Sequence, residues 1–222
     1  MDFDWYKIVI SIIPIIFAIT IHEYAHGWAA RRYGDNTAYL EGRLTLNPIN
    51  HIDPIGTILV PLFGYLTVGF IFGWAKPVPV NFSNLRNIKS DGIKVALAGP
   101  FSNLIMGIFW SLILVASILI LHFTELPLGK GLLDMGKVGI LVNIIFLVFN
   151  LIPLPPLDGG RVLQFSLPPR LALKLDFFEQ YGMFIIIGLA FTGILGKLIF
   201  PIVSFIEDIL IMPAQAIIQM LI

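Results

Sequence analysis

Five stretches of the chain carry no charged side chain: residues 8–21, 54–75, 95–121, 138–157 and 180–196. Four of them approach or exceed the roughly 20 apolar residues that cross a hydrocarbon core. The pattern predicts a first helix from about residue 5 to 33, stopped by Gly34-Asp35. A polar stretch follows, and the alternation of Tyr39-Leu-Glu-Gly-Arg-Leu-Thr-Leu46 predicts a short strand. Next comes NPINHIDP (47–54), two turn-forming prolines around a histidine. Residues 55–73 are apolar but broken by Gly56, Pro61, Gly64, Gly69 and Gly73, which suits a re-entrant segment better than a clean span. The prolines and period of GWAKPVPVNFS (73–83) read as an exposed edge strand. Helices are expected over about 92–122, 136–152, 159–166 and 178–197, and residues 201–222 form a last span or lie at the interface. The fold class is therefore an all-α polytopic membrane protein. It has about four to six transmembrane helices, with a short re-entrant or β-strand element between the first and second core helices.

Composition agrees: 57% of the 222 residues are hydrophobic and 13% charged, against about 25% charged in soluble domains. The acidic N-terminus, MDFDWYK, lacks the positive region of a secretory leader, so the first segment is expected to be retained. No soluble module, internal repeat or low-complexity tail interrupts the chain, and residues 1–222 read as a single membrane-embedded domain. Net charge is zero, and no basic patch with interleaved aromatics marks a nucleic-acid surface. Suppose the first helix exits on the cytoplasmic side at Arg31-Arg32, residues 34–93 start and finish there, and the later helices alternate. Arg31, Arg32, Arg43, Lys76, Arg86, Lys89, Lys94, Arg161, Arg170 and Lys174 then flank the cytoplasm, and Lys7, Lys130, Lys137 and Lys197 the outside. That bias follows the positive-inside rule.

The candidate chemistry begins at HEYAH (22–26). There is no cysteine, so a metal must be held by His, Asp or Glu. His22 and His26 stand four apart, on one face of a helix, where two imidazoles can share one Zn²⁺. Glu23 lies between them in the H-E-x-x-H arrangement, whose Glu serves as general base. Ionisable groups deep in a membrane helix are costly, and coordination offsets that cost. A third ligand is needed. Asp158 is the best candidate, because in NLIPLPPLDGGR (150–161) a proline-broken turn delivers it on the same side as the histidines. His122, at the far end of a long helix, reads as interfacial.

HEYAH and NLIPLPPLDGG, together with LNPINHIDPIG (46–56), GWAKPVPVN (73–81) and AGPFSN (98–103), resemble the site-2 protease family of intramembrane zinc metalloproteases. The resemblance spans roughly residues 15–165, with helices over 178–222 beyond it, and is to the compact prokaryotic branch without a PDZ domain. It implies one zinc per chain on His22, His26 and Asp158, with Glu23 as base. It implies peptide-bond hydrolysis in or beside transmembrane segments of protein substrates within the bilayer of a prokaryotic cell membrane. The site would lie towards the cytoplasm. By motif match Asn150 would meet substrate or a developing oxyanion, and Asn103 would face the site; either could instead tie helices together. His51 falls in a shared motif and could donate to a substrate carbonyl or shape its loop. Gly159-Gly160 would allow the turn that aims Asp158. An extended substrate segment could add to an edge strand at 39–46 or 76–82. A metal-ion transporter or sensor using the same His/His/Asp set is the competing reading, and a catalytically silent scaffold is a third. Neither needs Glu23 beside the ligands.

Overall fold

The computed structural model describes residues 5–59, 75–124 and 126–221. Helix α1 (Trp5–Tyr33) leads through α2 (Thr37–Leu40) into two short turns, 3-10 over Pro48–His51 and a wider π-type turn over Pro54–Leu59. Beyond an extended segment and a 3-10 turn at Phe82–Asn84 come α3 (Ile88–Phe123) and α4 (Pro127–Asn150). The chain closes with α5 (Asp158–Ser166), α6 (Pro169–Phe191) and α7 (Ile194–Leu221). Among the described residues three helices are long and apolar enough to cross a membrane, α1 from Val9 to Tyr33, α3 and α4, and a fourth if the bent pair α6–α7 counts as one. The protein is an all-α polytopic membrane protein.

The central helix is α3, which packs on α1, α4, α5 and α7. Asn87 starts it by accepting from Ser90 N–H at 3.1 Å, and Thr124 ends it with extended backbone. In lipid the helices gain little from hydrophobicity and depend on close packing. At α3–α4 that closeness comes from glycine. A Cβ on Gly136 would stand 3.1 Å from Leu114 Cα, and one on Gly139 would overlap the Trp110 ring. Trp110, Leu114, Ile140 and Ile144 are each at most 3% exposed and join α6 and α7 through Ile186 and Val203.

Three expectations change. Residues 39–46 do not form a strand. After α2, Arg43 N–H (2.8 Å) and Leu44 N–H (3.2 Å) turn back onto Ala38 O, and Gly42 closes the turn at φ +66°. Residues 76–82 are extended up to Asn81 but paired with no strand, and no strand occurs among the described residues. Pro77 and Pro79 have no N–H to offer a ladder. Lys76 N–H goes to His51 O (3.0 Å), Val78 N–H to Glu23 Oε2 (2.7 Å) and Asn81 N–H to Asp35 Oδ2 (2.7 Å). The helix expected at 178–197 begins at Pro169 and stops at Phe191, where Gly193, at φ +71°, lets the chain turn by 81° into α7. Of the expected re-entrant stretch at 55–73, only 55–59 belong to the described residues.

Candidate metal centre

Helix α1 carries His22 and His26 one turn apart, and α5 brings Asp158 to them at its first residue. The turn before α5 folds back tightly: a Cβ on Gly159 would lie 2.5 Å from Ile152 O, and one on Gly160 2.5 Å from Leu154 C. Glycine is thus required there by close approach of the backbone, which sets Asp158 at the helix start.

The three side chains converge. Nε2 of His22 and Nε2 of His26 lie 3.1 Å apart, and Asp158 Oδ2 is 3.2 and 3.3 Å from them. About 3.3 Å is the spacing of neighbouring ligands in a tetrahedral centre with bonds of 2.0–2.1 Å. Each imidazole is oriented from its far side. His22 Nδ1 meets Asn103 Oδ1 at 2.6 Å and His26 Nδ1 meets Val95 O at 2.8 Å. Both acceptors lack a proton of their own, so both rings hold N–H at Nδ1 and turn an Nε2 lone pair inward. Asp158 Oδ2 is buried and receives no hydrogen bond. Two lone pairs and an unsatisfied carboxylate oxygen facing each other repel unless a cation sits among them. Two imidazoles and one carboxylate fit zinc, and three protein ligands are the set that leaves a coordination position for chemistry. No other cluster of three such groups occurs among the described residues.

The sequence-predicted residues fall into two groups. His22, His26 and Asp158 come together, and Glu23 lies between the two histidines on α1, its Oε2 accepting from Val78 N–H. Asn103 reaches the centre through the ring of His22: it is wholly buried, with both amide ends engaged within the protein. Asn150, partly buried at the end of α4, donates to Phe146 O at 3.0 Å. His51 stands apart from the metal cluster. It is 1% exposed, hydrogen-bonded through Nε2 to Thr45 O (2.8 Å), and its carbonyl accepts from Lys76, so it ties the 45–51 loop to the extended segment. His122 is exposed in the last turn of α3, edge-on to Phe123.

Sequence reading gave no role to Gly99 or Asn143 and took Asp35 only as a helix stop. A Cβ on Gly99 would overlap His26 Nε2 and come within 2.6 Å of His22 Cε1, so α3 clears room for the ligand pair. Asn143 is a fully buried amide one turn past Gly139; an Asn inside an uncharged run of 20 residues, two turns before Asn150, was the available signal. Asp35 is 0% exposed and accepts four hydrogen bonds, from Thr37 N–H and Oγ1–H, Asn84 Nδ2 and Asn81 N–H.

YwhC of Bacillus subtilis is 36% identical to this chain over 212 residues, covering 94% of the chain and 92% of YwhC, and is provisionally named a zinc metalloprotease. This chain belongs to the YwhC family of zinc metalloproteases. Rip2 of Mycolicibacterium smegmatis (28% over 194 residues, 87% of the chain and 71% of Rip2) carries the same provisional name. So does MJ0611 of Methanocaldococcus jannaschii (28% over 170 residues, 74% of each). No protein-family model and no solved structure matches the chain. Family membership and the donor set agree on zinc as the metal.

Proposed function

We propose that the protein is an intramembrane zinc metalloprotease of the site-2 protease type, hydrolysing peptide bonds in or beside transmembrane segments of membrane-anchored proteins. The observation that carries this reading is the position of the ligands. Two of the three, with Glu23 between them, sit in a helix long and apolar enough to span a membrane. A site in that position is reached most directly by substrates that share the bilayer. The charge bias supports a site towards the cytoplasmic side, and the reading takes the membrane to be that of a prokaryotic cell.

When bound, zinc supplies Lewis acidity to water and to a scissile carbonyl. Glu23 then acts as the base. Val78 N–H fixes its Oε2, while Oε1 has no partner among the described residues and takes the proton of the attacking water. As the water oxygen bonds the carbonyl carbon and the C–N bond breaks, Glu23 returns that proton to the leaving nitrogen. Asn150, released from Phe146 O, offers its amide to the substrate main chain. The extended segment beside Glu23 is not an available edge, because three of its N–H groups are consumed and prolines remove two more.

The test is cleavage of single-span membrane proteins co-reconstituted in liposomes with the purified protein. Wild type should cleave, and both a zinc chelator and Glu23→Gln should stop it while Glu23→Gln still binds one zinc per chain. Equal cleavage in all arms would overturn the reading. Zinc flux across the liposome that survives Glu23→Gln, without cleavage, would return the site to metal transport.

A further inference from the structure

Behind His22 the amides of Asn103 and Asn143 form a chain with one direction, joining three helices. His22 Nδ1 meets Asn103 Oδ1 at 2.6 Å. Asn103 Nδ2 donates to Ala18 O (3.2 Å) and to Asn143 Oδ1 (3.0 Å), and Asn143 Nδ2 donates to Gly139 O (2.8 Å). Both asparagines are 0% exposed, so water cannot substitute for a lost partner. The fixed points are two backbone carbonyls, which only accept. If the Asn143 amide were reversed, its Oδ1 would face Gly139 O. If the Asn103 amide were reversed, its Oδ1 would face Ala18 O and Asn143 Oδ1. Each reversal sets oxygen against oxygen in a dry interior and leaves buried hydrogen bonds unmade.

From this we infer that Asn143, acting through Asn103, is a positioning residue that selects the tautomer of His22. With both amides held, Asn103 can present only oxygen to His22. The ring must therefore carry its proton on Nδ1 and keep Nε2 as a lone pair directed at His26 and Asp158. In the opposite tautomer Nε2 would bear a proton and could not ligate. His26 receives the same instruction directly from Val95 O. The inference rests on the reading of His22 as a zinc ligand, but not on proteolysis.

The experiment uses the full chain in detergent, with two readouts. Nitrogen chemical shifts of ¹⁵N-labelled histidine in metal-free protein report the His22 tautomer, and competition with a chelator reports the zinc affinity. Wild type should show Nδ1–H at His22. Asn143→Leu, similar in size but with no polar group, should weaken zinc binding about tenfold and Asn103→Leu about a hundredfold, the span typical of lost outer-shell partners. Asn143→Asp retains an acceptor for Asn103 Nδ2 whether or not it is protonated, so it should keep the wild-type tautomer and affinity. Three results would each overturn the inference: Nε2–H at His22 in wild type, wild-type zinc affinity in Asn143→Leu, or equal weakening in Asn143→Leu and Asn143→Asp, which would mark Asn143 as packing only. If Asn143→Leu fails to fold, wild type and Asn143→Asp still decide through the tautomer. Wild type that binds zinc and cleaves nothing would sink the proteolytic reading and leave this one standing.

Discussion

A buried aspartate and a partly buried one divide the molecule into a part that is finished and a part that is not. Asp35, just beyond α1, accepts four hydrogen bonds and thereby ties α1 to the segment at 81–84. Asp158, at the start of α5, offers a buried oxygen that receives none and faces two imidazole lone pairs. Both are carboxylates in tight surroundings. The difference is whether the protein supplies the positive ends of dipoles itself or leaves the place to an ion. A satisfied buried acid fixes structure, and an unsatisfied one aimed at two lone pairs reserves space for a cation.

The comparison breaks most visibly at Asp158. Asp158→Ala should abolish one-to-one zinc binding and lower cleavage by at least about 10³-fold, because the metal loses one of three protein ligands, while the unfolding midpoint of metal-free protein stays the same or rises. A large loss of metal-free stability would show that Asp158 is structural after all. Asp35→Ala should do the opposite. Stranding four donors costs about 3 kcal/mol of stability, read as an earlier unfolding transition, with zinc affinity in the remaining folded protein close to wild type. Gly99→Ala sharpens the boundary from the side of the metal: the added methyl collides with both rings. A strain of about 1–3 kcal/mol should weaken zinc binding roughly tenfold or more, checked by chelator competition, with little change in helix content.

The smallest effect concerns pH. Burial raises the Asp35 carboxyl, but the hydrogen bonds from Thr37, Asn84 and Asn81 outweigh it and hold it below its ordinary 3.8. The folded state therefore binds this proton less readily than the unfolded chain. Its stabilisation is complete above about pH 4, near the unfolded value, and fades as pH falls through the lower folded value. The stability difference between wild type and Asp35→Asn should stay flat from pH 8 to about 5 and narrow only at more acid pH; narrowing near neutrality would contradict the assignment.

How much of this was legible in the sequence depends on the range of the interaction. Uncharged runs found α1, α3 and α4 because span length is a property of consecutive residues. HEYAH and the proline-broken turn pointed to His22, His26 and Asp158, which the fold brings together, because helical spacing and irregular backbone are local too. The strands expected at 39–46 and 76–82 failed for a local reason met by a distant one. Alternation and prolines describe an extended chain, but residues 43 and 44 turn back onto Ala38 O, and in 76–82 His51, Glu23 and Asp35 take the N–H groups a neighbouring strand would need. Asn143 and Gly99 were hidden because each matters only through a side chain on another helix. Neither polarity nor size, read along one chain, says what lies opposite.

On α3 the positions that serve the two histidines share one face. Val95, Gly99 and Asn103 follow one another every four residues along the face that meets α1, serving in turn His26, the gap between the rings, and His22. Two helices thus act as a vernier, with marks that coincide in a single alignment. Adding or deleting one residue in this part of α3 turns every later position by about 100° and moves all the marks beyond it out of line, although its hydropathy would look unchanged. For a designer, or for natural drift, the site tolerates substitution across most of the bundle's surface but not a change of count here.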